Sequence, residues 1–329
     1  MSPIIILILF SACFDFLNGL RDSGNFVSTI ISTHALSPRP ALIISAIAEF
    51  LGPFIFGVAV ANTFGHQLIS PDRINVQMLI GGVLSAIIWN VATLMLGFPS
   101  SASHALLGGI LGSVLVGAGF QGILLSGLIK VLAALFVSPF LGLLFGFWMI
   151  RLVFFMSQNA SLRVNVFFRY IQILTGVGLA LSYGANDAQK TMGLITLGLV
   201  ASNSIAVFAV PAWVIAISAG AIALGIGIGG MRVIKTLSVG FYKIRPVHGF
   251  SAQTAAAFVI LGAALLGGPV SSSQVITASI LGVGSADRKS QVRWTVAQNI
   301  LAAWLLTIPI CVIFGAGIYW LIHQFGFAY

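Results

Sequence analysis

The stretch Leu181-Ser-Tyr-Gly-Ala-Asn-Asp-Ala-Gln-Lys-Thr-Met-Gly193 sets Asn186, Asp187, Gln189 and Lys190 inside the otherwise apolar run 170 to 202. An ionised side chain at a bilayer centre costs at least about 2.5 kcal/mol on insertion scales, so an Asp and a Lys retained there mark a working site. An echo lies 165 positions earlier, where Asn18-Gly-Leu-Arg-Asp-Ser-Gly-Asn25 again places a glycine three residues before an aspartate and amide or small residues after it. Two copies of one polar motif in apolar surroundings point to a duplicated membrane protein.

The composition agrees. Of 329 residues, 59% are hydrophobic and 6% charged, against about 25% charged in soluble domains. The 37 glycines and 11 prolines suit membrane helices that approach closely and break where the fold requires it. In a soluble chain the net charge of +9 would suggest nucleic acid; here it reports cytoplasmic loops, and no nucleic-acid partner is expected. Cys13 and Cys311 sit far apart in apolar segments, as small buried residues rather than a disulfide framework. Met1-Ser-Pro lacks the basic region of a cleavable signal, so the first apolar run is expected to stay as a helix.

Taken in order, residues 3 to 36 are apolar with a polar centre and outrun a ~30 Å hydrocarbon core at 1.5 Å per residue. They predict a broken or steeply tilted helix with its break near Gly19. A span over 41 to 62 carries Glu49, and a polar loop runs from His66 to Asn75. The apolar runs 77 to 97 and 105 to 119 flank Gly97-Phe-Pro-Ser-Ser-Ala-Ser-His104. Proline followed by hydroxyls describes a helix N-terminus, and apolar arms on both sides of it describe a re-entrant hairpin. After a span over 121 to 150 and a basic connection over 151 to 169, the plan repeats: a long span at 170 to 202, another at 211 to 229, and a basic loop at 231 to 248. A second hairpin follows, with its tip at Gly268-Pro-Val-Ser-Ser-Ser-Gln274, and a closing span covers 294 to 322. The expected fold is all-α and polytopic, with broken helices, two re-entrant hairpins and two inverted-topology repeats. Residues 1–150 form the first repeat, 151–169 a cytoplasmic connecting segment and 170–329 the second repeat.

Charge supports the inversion. Three crossings and a non-crossing hairpin per half put equivalent loops on opposite faces. Loop 63–75 has Arg73 offset by Asp72, whereas its equivalent, 231–248, has Arg232, Lys235, Lys243 and Arg245. Arg39 likewise faces an uncharged 203–210, and an uncharged 117–122 faces Arg288, Lys289 and Arg293. Each pair favours basic loops in the cytoplasm and both termini outside the cytoplasmic (inner) membrane.

Four of the six acidic residues, Asp15, Asp22, Glu49 and Asp187, fall within predicted spans. Arg21 and Lys190 either pair with these carboxylates or help hold an anion. Two like charges ~4 Å apart repel by about 4 kcal/mol even at an effective dielectric of 20, so an anion entering this centre needs accompanying cations or protons. Oxygen donors for a hard cation come from Asp22, Asn25, Asn186, Asp187 and Gln189, with Asp22 and Asp187 as the Na⁺ ligands if Na⁺ is the coupling ion. The anion is served by Ser100, Ser101 and Ser103 on one tip and Ser271, Ser272 and Ser273 on the other, where helix N-termini attract oxyanions. His104 reads as a hydrogen-bonded helix residue before a proton carrier.

At these residues the chain resembles the inorganic phosphate transporter (PiT) family, over nearly its whole length. The family's Gly-Ala-Asn-Asp signature stands at Gly184 to Asp187, and Pro99-Ser-Ser-Ala-Ser-His104 and Pro269-Val-Ser-Ser-Ser-Gln274 are similar to its paired hairpin tips. Arg21 replaces the Asn expected before the first Asp, threonines of both tips are Ser or Ala, and Gln274 replaces a His. The Asp-Ala-Gln-Lys run and the short central loop look like the bacterial low-affinity branch. The resemblance implies a symporter for inorganic phosphate, coupled to Na⁺ or H⁺, with substrate between the repeats and no cofactor beyond the coupling ion. Sulfate is the alternative cargo within that fold, and a homodimer is a possible assembly. Two rivals come from other classes. A passive anion channel needs a continuous polar path. An intramembrane aspartyl protease using Asp22 and Asp187 needs a shared proton that neighbouring Arg21 and Lys190 oppose, so no enzyme is expected.

Overall fold

A computed structural model describes residues 2–33, 35–98, 100–159, 164–229, 245–288 and 294–325, with backbone alone at 25, 26, 28, 288, 294–297, 299 and 300. The helices in chain order are α1 (Pro3–Ser32), α2 (Pro38–Phe56), the single turn α3 (Ala59–Asn62), α4 (Val76–Leu96), α5 (Ala102–Ala118), α6 (Leu125–Met156), α7 (Val164–Gly184), α8 (Asp187–Ala201), α9 (Ala212–Ile228), α10 (Pro246–Leu265), α11 (Ser272–Arg288) and α12 (Trp294–Gln324). Among the described residues, 7 helical stretches are long and apolar enough to cross a membrane, α7 and α8 counting together as one; α5 and α9 are shorter apolar helices.

Polarity is inverted relative to a soluble protein. Ile47, Ile55, Leu125, Phe140, Phe155, Leu174 and Phe258 stand exposed on the outside, while Asp15, Asp22, Glu49, Asp187 and Lys190 are buried within. Lipid tails satisfy the first set, and only protein partners can satisfy the second.

The start and stop signals of the two hairpins match. α4 ends at Gly97 (φ 66°) and α10 is followed by Gly267 (φ 69°), 170 positions apart, each in a left-handed conformation that side chains with a Cβ resist. The second arm of the first hairpin begins at Ser101, whose hydroxyl accepts from the His104 N–H and caps α5. Each arm packs on its partner, α4 on α5 and α10 on α11.

Between the halves, packing is exchanged pairwise. α6 packs on α11 while α12 packs on α5; α1 crosses α9 while α7 crosses α2. Glycines make the crossings close. A Cβ on Gly19 would run into the Ile222 carbonyl and one on Gly225 into the Phe16 carbonyl, joining α1 to α9; Gly184 meets the Glu49 carbonyl and Gly52 the Leu181 carbonyl, joining α7 to α2. Gly112 against Val312 and Gly282 against Leu143 repeat the arrangement at α5–α12 and α11–α6. Small residues at such crossings let backbones approach, which drives association where lipid removes the hydrophobic incentive.

Two expectations change. α1 is continuous through Gly19, because that glycine is used for close approach to α9 and not as a hinge; the break occurs in the second copy alone, at Ala185–Asn186 between α7 and α8. The connection expected over 151–169 is helical at both ends, with Arg151 on α6 and Arg169 on α7, because the apolar pattern of each span continues past those charges. Arg163, Arg232, Lys235, Lys243, Lys289 and Arg293 lie outside the described residues; Arg245, at the start of α10, pairs with Asp287 at 3.2 Å.

Candidate functional site

The two hairpin tips meet head to head. Ser101 Oγ and Ser271 Oγ, 170 positions apart and equivalent by the spacing of the tips, lie 2.8 Å from each other. Ser103 Oγ donates to the Val270 carbonyl at 3.2 Å, and Gln274 Nε2 reaches His104 Nδ1, its own counterpart, at 3.3 Å. His104 Nδ1 also meets Ser101 Oγ at 2.8 Å, which is the helix-residue role expected of it.

Each tip is also tied to the polar motif of its own half. On the second, Asn186 Nδ2 donates to the Gly268 carbonyl (3.0 Å) and its Oδ1 accepts from the Val270 N–H (3.1 Å). On the first, Arg21 Nη1 donates to Ser100 Oγ and to Asn90 Oδ1, both at 3.2 Å, and Ser100 Oγ continues to Thr93 Oγ1 at 3.0 Å. Arg21 and Asn186 both precede their aspartate by one residue, and Ser100 and Val270 are 170 apart. The same position in both copies thus holds the tip, once with an amide and once with a guanidinium.

Asp187 opens α8, where the helix dipole favours an anion. Its Oδ1 takes the Lys190 ammonium at 2.5 Å, one helical turn on, and both residues are almost fully buried. The same ammonium donates to the Val270 carbonyl at 2.7 Å and to Ser103 Oγ at 2.8 Å. Lys190 therefore bridges its own tip and the tip of the other half. Asp187 Oδ2 and Ser272 Oγ are buried with no hydrogen-bond partner among the described residues.

Other expected residues fare differently. Gln189, expected as a cation ligand, has both ends of its amide engaged: Nε2 donates to the Gly57 and Ala185 carbonyls, and Oε1 accepts from the Val60 and Ala61 N–H groups. It holds the broken backbone between α2 and α3 against α8, which removes its amide oxygen from a cation site. Asn186 similarly spends its amide on the tip. Ser273 lies 3.5 Å from Ser271, a weak contact. Asp22 is buried beside this centre, and the side chain of Asn25 lies outside those described.

Sequence reasoning missed Asn90 and Thr93, the amide and hydroxyl behind Arg21, although an Asn inside the run 77 to 97 was a readable signal. It also missed Thr191, whose hydroxyl meets Asp15 Oδ2 at 2.6 Å and Ser218 Oγ at 3.3 Å. Of the two cysteines, both free, Cys311 is buried but Cys13 is exposed on the apolar exterior.

The chain as a whole is matched by known proteins. A family model described as the phosphate transporter family matches residues 18–163 and 155–315. The chain belongs to that family. A probable low-affinity inorganic phosphate transporter of Bacillus subtilis (strain 168) is 38% identical over 324 residues, covering 97% of each chain. One of Rhizobium meliloti (strain 1021), also described as probable, is 38% identical and covers 95% of each. A solved structure described as the sodium-dependent phosphate transporter has the same fold, with a TM-score of 0.90 over 98% of this chain and 100% of that one at 23% identity. These relatives are transporters and not enzymes, which sets aside the protease reading, and with the apolar helices they make this family member a multi-pass membrane protein.

Proposed function

We propose that the chain is a secondary transporter that carries inorganic phosphate across the cytoplasmic membrane together with Na⁺ or H⁺. The observation that carries the reading is the meeting of the two tips, where Lys190 of one half binds Ser103 of the other and Ser101 faces Ser271. Hydroxyls and helix N-termini gather there around buried cations, which is chemistry for a tetrahedral oxyanion. The substrate enters between Ser100, Ser101 and Ser103 and Ser271, Ser272 and Ser273, with Arg21 and Lys190 supplying positive charge. The coupling cation uses Asp22, while Asp187 is paired with the Lys190 ammonium.

Residues 1–150 and 170–329 act as inverted repeats, and one rocks against the other to alternate access. The pairwise exchange of α6–α11 with α12–α5 supports this reading, as does the charge asymmetry of the loops, which favours basic loops in the cytoplasm and the termini outside. A tip-to-tip contact favours a closed centre over the open path of a passive channel.

Labelled phosphate uptake into proteoliposomes tests the proposal. Uptake driven by an imposed Na⁺ or H⁺ gradient is the expected result. Sulfate moving in its place would transfer the reading to that anion. Gradient-independent flux with single-channel conductance would replace it by a channel, and no flux of either anion would end it.

Ser272→Ala gives a finer check. Its hydroxyl has no partner among the described residues, so removing it leaves thermal stability in the absence of phosphate unchanged. If the hydroxyl binds phosphate, losing one hydrogen bond worth about 1 kcal/mol raises the half-saturation constant roughly fivefold. An unaltered constant would mean that the hydroxyl serves the helix terminus alone.

A further inference from the structure

Aligned on their aspartates, the two polar motifs read Asp22-Ser-Gly-Asn25 and Asp187-Ala-Gln-Lys190. The second copy therefore carries a lysine where the first carries an amide. The Lys190 ammonium is surrounded by three oxygens from three segments: a carboxylate (Asp187 Oδ1, 2.5 Å), a main-chain carbonyl (Val270, 2.7 Å) and a hydroxyl (Ser103, 2.8 Å). Carboxylate, carbonyl and hydroxyl oxygens are the ligands a hard cation selects. The ammonium's three N–H donors meet three acceptors, and the side chain is 3% exposed.

We propose that the Lys190 ammonium is a tethered cation that fills the second repeat's cation position, so that this half-site takes no Na⁺. A Na⁺ ion would need the oxygens the ammonium already holds. One placed instead on Asp187 Oδ2 would face a like charge across a single carboxylate in a water-poor interior. The consequence for coupling rests on the transport reading above: one positive charge at the centre stays with the protein through the cycle, and the travelling cation belongs to the first repeat, at Asp22. The binding claim stands without that reading.

Equilibrium ²²Na⁺ binding to purified full-length protein in detergent tests it. Lys190→Asn, which copies the residue type of position 25, is expected to bind one more Na⁺ per chain than the unaltered protein. Lys190→Arg, which keeps the charge, should gain none, and adding Asp187→Asn to Lys190→Asn should remove the gained ion. Na⁺, but not N-methylglucamine, should raise the Tm of Lys190→Asn. A monodisperse Lys190→Asn with neither extra Na⁺ nor a Na⁺-dependent Tm would overturn the proposal. Should that variant aggregate, Lys190→Gln is measured in its place. Aggregation of both, even in molar Na⁺, would also overturn the proposal, since Na⁺ then cannot stand in for the ammonium. A chain that moves no phosphate in liposomes leaves either binding result valid, so the two failures are distinguishable.

Discussion

Asp187→Asn is expected to abolish gradient-driven phosphate uptake and to lower thermal stability, whereas Asp187→Asn combined with Lys190→Asn recovers stability but not uptake. The reason lies in the pair's burial. Asp187 and Lys190 are 4% and 2% exposed, and removing one partner of a buried pair strands the other charge, a loss of about 3–5 kcal/mol. The ammonium keeps Val270 and Ser103 in the single variant, so part of that loss is offset by two charge-assisted hydrogen bonds. Removing both charges takes away the stranded cation, and stability returns toward that of the parent. Uptake does not return, because the carboxylate at the start of α8 and the link between tips are both gone. Melting temperature of purified protein and labelled uptake in liposomes separate the two effects. Unchanged uptake in Asp187→Asn would remove that residue from the mechanism, and equal melting temperatures of single and double variants would show that the stranded charge is relieved by water.

That stability effect was invisible in the sequence, and the reason is general to this molecule. Hydropathy fixes which segments enter the bilayer, and charged residues left inside them stand out; the spans, the Asp22 and Asp187 motifs and both serine tips were therefore legible. What a polar side chain does once buried depends on which backbone faces it. Gln189 looked like a cation ligand because amides can be, yet four main-chain groups from two segments exhaust it. Arg21 looked like a departure from its counterpart Asn186, yet both hold a tip. Glycine is ambiguous for a similar reason, since absence of a Cβ serves a turn as at Gly97 or a close crossing as at Gly19, and only the neighbouring helix decides which. Lys190 was open between partner of a carboxylate and holder of an anion; the fold brings Ser103 to it from 87 positions away.

Locking the tips together should stop transport reversibly. Ser101 and Ser271 present their hydroxyl oxygens to each other at 2.8 Å. Two positions whose Oγ atoms touch are candidates for a disulfide, which needs Cβ atoms about 3.5–4.5 Å apart. In a chain with Cys13 and Cys311 replaced by alanine, Ser101→Cys/Ser271→Cys is expected to cross-link on oxidation. A protease site introduced at Ser157–Asn159, between α6 and α7, reports the bond: the two halves stay together until reductant is added. If phosphate passes only when one half moves against the other, the oxidised protein takes up no more phosphate than empty liposomes, and dithiothreitol restores the level of the reduced variant. The reduced variant also controls for loss of the two hydroxyls as ligands, since that loss is present in both states. Full uptake by protein shown to be cross-linked would mean that the tips stay joined throughout the cycle. Access would then have to alternate by movement elsewhere, and the rocking of one half against the other about this contact would be wrong.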